Sequence, residues 1–117
     1  MGSNSTYIPA GKWVELGNNV YASRCSLSDD EHTALDVLFK PGGNLPTHFH
    51  TNREETIFVT NGRIKNEINN KIYKTNDICV IPKGESHTIT SDIGATLKVI
   101  FKPAYSDEVE NYCEEID

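Results

Sequence analysis

Positive charge is scarce in this sequence: 11 lysines and arginines stand against 17 aspartates and glutamates, for a net charge of −6. No basic cluster is available to meet phosphates, so neither nucleic acid nor an anionic membrane is expected as a partner. Long apolar runs are missing too. None approaches the roughly 20 residues that a bilayer-spanning helix needs, and the first residues lack the apolar stretch of an export signal. Cysteine is sparse and poorly placed for a disulfide framework: Cys25, Cys79 and Cys113 are odd in number and form no CxxC pair. They read as reduced thiols of a cytoplasmic protein, with Cys79 buried in an apolar run. Helical periodicity is absent before residue 103, which argues against a mixed α/β domain.

What is present is the composition of an ordinary globular domain, 37% hydrophobic and 24% charged over 117 residues, enough for one core. Met1-Gly2-Ser3 has the look of a cloning remnant, so residues 1–6 are set apart as a tag-derived or disordered lead. Residues 7–103 carry short β-rich runs separated by turn residues. Lys12 to Leu16 and Val20 to Ser26 flank the turn cluster Gly17-Asn18-Asn19. Thr33 to Phe39 is apolar on both alternating sets except at Asp36, and Pro41-Gly42-Gly43 turns the chain into the next strand. Glu55 to Thr60 ends at Asn61-Gly62, a strong two-residue hairpin signal, with Arg63 to Ile68 as its expected partner. Asn69-Asn70 marks another tight turn before Lys71 to Tyr73. Asp77 to Ile81, His87 to Thr90 and Ala95 to Phe101 complete the series. About ten short strands with hairpin turns argue for an all-β sandwich or closed barrel. Residues 104–117 change character: Val109, Tyr112, Cys113 and Ile116 fall on a helical stripe after Ser106, a suitable N-cap, so a short acidic C-terminal helix or tail is expected.

The chemistry concentrates in the stretch GGNLPTHFHTNREETIFVTNG, residues 42–62. His48 and His50 are two apart, so on an extended chain both imidazoles project from one face. Glu55 follows a short polar turn and can fold back toward them, while alternation sends Glu54 the other way. His87 lies downstream in IPKGESHTIT. Three neutral imidazoles and one carboxylate suit a divalent transition metal: iron, manganese, cobalt, nickel, copper or zinc. His32, the remaining histidine, sits in a polar loop and reads as structural or exposed.

The same residues resemble the two motifs of the cupin superfamily. Gly42, His48, His50, Glu55 and Gly62 keep every interval of the first motif. Pro82, Gly84 and His87 keep their places in the second, in which Asn76 stands for the opening glycine and Ser91 for the closing asparagine. Neither departure touches a ligand, and asparagine tolerates left-handed backbone almost as glycine does. The resemblance implies a double-stranded β-helix (jelly-roll) barrel, a homodimer, and a metal near the barrel mouth held by His48, His50, Glu55 and His87.

Substrate contacts are less strongly marked. With Glu55 inward, Ile57 and Val59 also point inward, and Phe101, Tyr73 and Tyr21 are candidates to line the pocket with them. Arg24 is a candidate anion anchor at the mouth, whereas Arg53, in the turn between ligands, reads as solvated. Tyr21, Tyr73 and Asp36 are candidate proton-transfer groups, and Tyr21, Arg24 and Tyr73 together form the candidate catalytic set. Two function classes follow. One is a metal-dependent enzyme acting on a small organic molecule, by dioxygenase-type chemistry with iron(II) or by lyase or isomerase chemistry with manganese, nickel or zinc. The other is a non-catalytic module that binds a sugar or organic acid. Among these the family resemblance favours the enzyme, and dioxygenase-type chemistry first.

Overall fold

The computed structural model describes residues 11–25, 28–104 and 114–115. Its elements, all strands, are β1 (Val14–Arg24), β2 (Thr33–Phe49), β3 (Glu54–Asn66), β4 (Lys71–Lys74), β5 (Ile78–Ile81), β6 (His87–Ser91), β7 (Ala95–Lys102) and β8 (Glu114–Glu115). Every pairing is antiparallel. No helix among the described residues is long and apolar enough to cross a membrane.

Two long strands, β2 and β3, organise the barrel by changing partners along their length within one eight-stranded sheet. The first half of β2 pairs with β7 and its second half with β6. The first half of β3 pairs with β5 and β7, and its second half with β4 and β6. β1 follows β2 around the same corner, from Asn18 opposite Asn44 to Arg24 opposite Leu35. Inward positions then fall at every second residue, as a pleated strand requires. β7 shows this plainly, with Ala95, Leu97, Val99 and Phe101 buried and the residues between them on the other face. These four pack with Val20, Ala22, Leu35, Val37, Phe39, Ile57, Val59 and Ile64 into one core. Asp36, the polar exception of its strand, lies on the opposite face and ion-pairs with Lys98.

The turn signals at Gly17–Asn19, Pro41–Gly43 and Asn61-Gly62 do not separate strands. Each lies inside a continuous one, so β1, β2 and β3 take the place of six shorter runs. The expected hairpin at Asn61-Gly62 is therefore corrected to a bend. Positive φ at Asn19 (60°), Gly42 (81°) and Gly62 (86°) is what the turns would have required. Here the same backbone instead accompanies register shifts, between Asn18 and Val20 and between Val59 and Asn61, that turn a strand over a barrel corner. β3 continues because Arg63 to Asn66 find partners in β4 rather than in the strand just left. The tight turn expected at Asn69-Asn70 is present, with Asn70 at φ 61°.

The other correction is at the C-terminus. Ser106, Val109, Tyr112, Cys113 and Ile116 lie outside the described residues. Within the expected helix, Glu114–Glu115 is a strand, paired with His48 and Phe49. That pairing occupies backbone groups that β2 would otherwise leave open on that side. Arg53 is likewise not merely solvated, since its guanidinium donates to the carbonyls of Pro103 (3.1 Å) and Ala104 (3.0 Å). Cys25 and Cys79 are buried.

Gly62 is the tightest of the bends. A Cβ there would lie 2.1 Å from the carbonyl oxygen of Gly94, whereas one on Gly84, also at positive φ, would meet nothing within 4 Å. Gly62→Ala should therefore lose about 3 kcal/mol, from strain and a backbone clash, and Gly84→Ala only about 1 kcal/mol, from strain alone. Urea unfolding of both variants measures the difference.

Candidate metal centre

Three strand ends deliver the four donors to one place. His48 lies near the end of β2, directly opposite His87 at the start of β6. His50 follows just past β2, and its carbonyl accepts from the backbone N–H of Gly84 at 2.8 Å, which ties the two ligand-bearing segments together. Glu55 enters at the start of β3, flanked by Ile81 of β5 and Phe101 of β7. One donor atom from each of His48, His50, Glu55 and His87 lies within 4.8 Å of the others. Donors held about 2.1 Å from a shared ion stand roughly 3–4 Å apart. The Oε1 of Glu55 is 3.4 Å from Nε2 of His50 and 3.2 Å from Nε2 of His87. The ring of His50 also meets Phe101 edge-on, with centroids 4.9 Å apart.

Two backbone carbonyls aim the imidazoles. The Nδ1–H of His48 donates to Pro46 O at 2.7 Å, and that of His87 to Glu85 O at 3.1 Å. Each histidine thus bonds the residue two before it, which assigns the proton to Nδ1 and leaves the Nε2 lone pair facing the cluster. No sequence pattern signalled this, because a main-chain acceptor has no residue identity.

The electrostatics suit a cation. All four side chains are buried, His87 completely and Glu55 to 6% exposure. Glu55 Oε1 and His87 Nε2 sit there without a hydrogen bond of good geometry, and buried polar atoms in that state require a partner. Burial alone would push the Glu55 carboxyl up, but His50 and His87 together hold it well below the usual carboxylate range. Burial pushes His48 down to about 4. For His87 burial also pushes down, yet contact with Glu55 outweighs it and raises the value. A divalent ion offers the positive charge that this carboxylate and these lone pairs face, so the residues fit the group.

A cavity of about 30 Å³ adjoins the donors and is lined by Ile57, as alternation predicted, and by the candidate Phe101. Val59 points inward too but lies in the core cluster. Glu54 is exposed, which leaves Glu55 as the inward carboxylate. Asn76 takes φ 77°, the left-handed backbone expected of a residue in a glycine's place. Ser91 donates to Arg63 O at 2.6 Å and accepts from Gly94 N–H at 2.9 Å, tying the β6–β7 turn to β3.

Tyr21, Arg24, Tyr73 and Asp36 do not line the cavity. Tyr21 lies 5.1 Å beneath the Lys40 ammonium. Arg24 ends β1, opposite Leu35. Tyr73 packs at the margin of the core, its phenol pushed up to about 12 by burial first and then by Cys79. His32 pairs with Asp29 at 3.2 Å in an outer loop. Among the lining residues not anticipated are Leu16 and Leu45, together with Ile89 and several core residues of β2 and β7. Only the folded corner of β1 and β2 brings the first two there.

A family model described as "Cupin domain" matches residues 35–101. Among solved structures, KdgF from Halomonas sp. aligns with a TM-score of 0.72 at 17% identity, covering 82% of this chain and 91% of that one. An RmlC-like cupin from Shewanella frigidimarina aligns at 0.71 and 19%, covering 92% and 98%. Ectoine synthase from P. lautus aligns at 0.65 and 15%, covering 86% and 80%. No curated protein matches the sequence.

Two measurements check the centre. His48→Ala and His87→Ala should each lose most bound metal while keeping the β-sheet circular dichroism, as read by elemental analysis beside the spectrum; stoichiometric metal in both variants would refute the donor set. The raised value of His87 also sets a pH dependence. Its folded value lies above the ordinary 6.5, so protonation favours the metal-free fold at acid pH, and that contribution is lost as pH rises through the folded value. Metal loading must displace this proton. Calorimetry in buffers of different ionisation heat should show proton release near pH 6 that fades as pH rises through the folded value.

Proposed function

Because the chain belongs to the cupin family, we propose that it holds one divalent transition metal through His48, His50, Glu55 and His87 and acts as a metal-dependent enzyme on a small organic molecule. Dioxygenase-type chemistry is the reading the geometry supports best. The observation that carries it is the makeup of the cavity: its only ionisable side chains are His48, His50 and Glu55. Lyase, isomerase and hydrolytic reactions call for a further acid or base within reach of the substrate, and none lines this space among the described residues.

A divalent transition metal on such donors supplies Lewis acidity and, as iron(II), redox chemistry with dioxygen. The chain's own part is orientation and exclusion. Pro46 O and Glu85 O hold His48 and His87 in the tautomer that leaves Nε2 available. Glu55 lowers the charge of a divalent centre to about +1 (three neutral imidazoles add none), which favours an anionic substrate group over a neutral one. Apolar walls keep bulk water from the site and leave room for a small apolar gas.

Metal analysis of protein purified without an affinity column, together with oxygen uptake against small acids, diketones and phenols, tests the reading. Iron with oxygen consumption is the expected result. Zinc, nickel or manganese without uptake would move the assignment to a lyase, to an isomerase, or to a binding module for a sugar or organic acid. A structural neighbour from Silicibacter pomeroyi whose printed name is sugar phosphate isomerase makes isomerase chemistry the reading to exclude.

A further inference from the structure

The four donors are not held alike. His48 and His87 lie on strands and face each other across the β2–β6 pair. Glu55 lies at the start of β3, in register with Ile81 and Phe101 on its two sides. His50 has already left β2, which ends at Phe49. Between His50 and Glu55 the chain runs through residues 51–54, where Thr51, Asn52 and Glu54 are exposed and Arg53 is half-buried. The guanidinium of Arg53 donates through Nε to Pro103 O at 3.1 Å and through Nη2 to Ala104 O at 3.0 Å. A planar fork on two successive carbonyls fixes direction as well as distance. Those carbonyls directly follow β7, whose Phe101 stands opposite Glu55 and meets the His50 ring with centroids 4.9 Å apart. One strand end therefore touches both donors and, through Arg53, the segment that joins them.

We propose that Arg53 is a positioning residue of the metal centre: it pins the 51–54 segment to the exit of β7 and so holds His50 in place beside Glu55. The inference rests on the metal reading above and deepens it. His50 Nε2 stands 3.4 Å from Glu55 Oε1, and a segment free to swing would let that spacing open. On the near side, Gly84 N–H donates to His50 O at 2.8 Å; the fork of Arg53 supplies the hold three residues further on. With both in place, the donors are ordered when the chain folds, and binding an ion does not have to order them again. The charge of Arg53 acts in the opposite direction to its fork. A cation near the centre repels a divalent ion, so charge alone predicts tighter binding when Arg53 is removed, and positioning predicts looser binding. Lysine separates the two effects further, because an ammonium keeps the charge and cannot form the planar fork.

The test is the rate at which the zinc-loaded full chain releases its ion to an excess of chromogenic chelator, measured for wild type, Arg53→Ala, Arg53→Lys and Arg63→Ala. Arg63, whose guanidinium bonds Asp92, is the control for loss of an arginine elsewhere. Arg53→Ala should release zinc about tenfold faster than wild type, the usual loss when a group supporting a metal ligand is removed. Arg53→Lys should be nearly as fast, and Arg63→Ala should match wild type. Urea unfolding of the metal-free proteins runs alongside, since a merely structural role would lower that midpoint and leave the release rate unmoved. Release at or below the wild-type rate from folded Arg53→Ala protein overturns the inference while the metal reading stands. Wild-type release from Arg53→Lys, or faster release from Arg63→Ala, overturns it equally. Failure of the wild-type chain to take up zinc overturns the metal reading itself. Should Arg53→Ala not fold, the lysine variant decides.

Discussion

An ionised carboxylate out of water needs positive charge or hydrogen-bond donors close at hand, and Glu55 meets that requirement inside the barrel. It is 6% exposed and has two imidazole nitrogens within 3.4 Å. The same contacts that hold its proton affinity down raise that of His87. Protein alone balances this charge only in part, because Glu55 Oε1 and His87 Nε2 complete no well-aligned hydrogen bond. The site is thus most easily satisfied by a cation. The sequence tolerates this local cost because the core of the molecule, built on β7 and the first halves of β2 and β3, does not depend on it.

The barrel's geometry follows from having few turns. Where separate hairpins would have produced a flat stack of short strands, β1, β2 and β3 run through their bends within one eight-stranded sheet. His48 and Glu55 therefore lie on strands whose other halves are anchored by different partner strands. Gly62 makes the tightest of these bends possible by letting β3 pass against the backbone at Gly94.

The clustering of His48, His50, Glu55 and His87 was legible in the sequence because a metal site would constrain both residue type and interval: His48 and His50 two apart, Glu55 after a turn, and His87 after a proline-glycine turn. All-β architecture was legible from alternation, which the burial of β7 follows residue by residue. The choice between a hairpin and a bend at Asn61-Gly62 was not, since both need the same positive φ, and only the partners of Arg63 to Asn66 decide it. Tyr21 and Tyr73 have suitable chemistry but lie away from the cavity, and alternation could not place them without knowing each strand's register. Leu16 and Leu45 were invisible for the opposite reason. Their chemistry is ordinary, and only the corner of the barrel makes them neighbours.

The bonds that aim His48 and His87 both run to a carbonyl two residues earlier in the chain. Because that acceptor belongs to the main chain, the side chains at positions 46 and 85 have no vote in it. Pro46 and Glu85 can be exchanged for other residues that keep the local path, and each imidazole still presents the same nitrogen. The surface around the ligands is thereby free to drift, for charge or for a new substrate, without the coordination chemistry having to be reinvented each time.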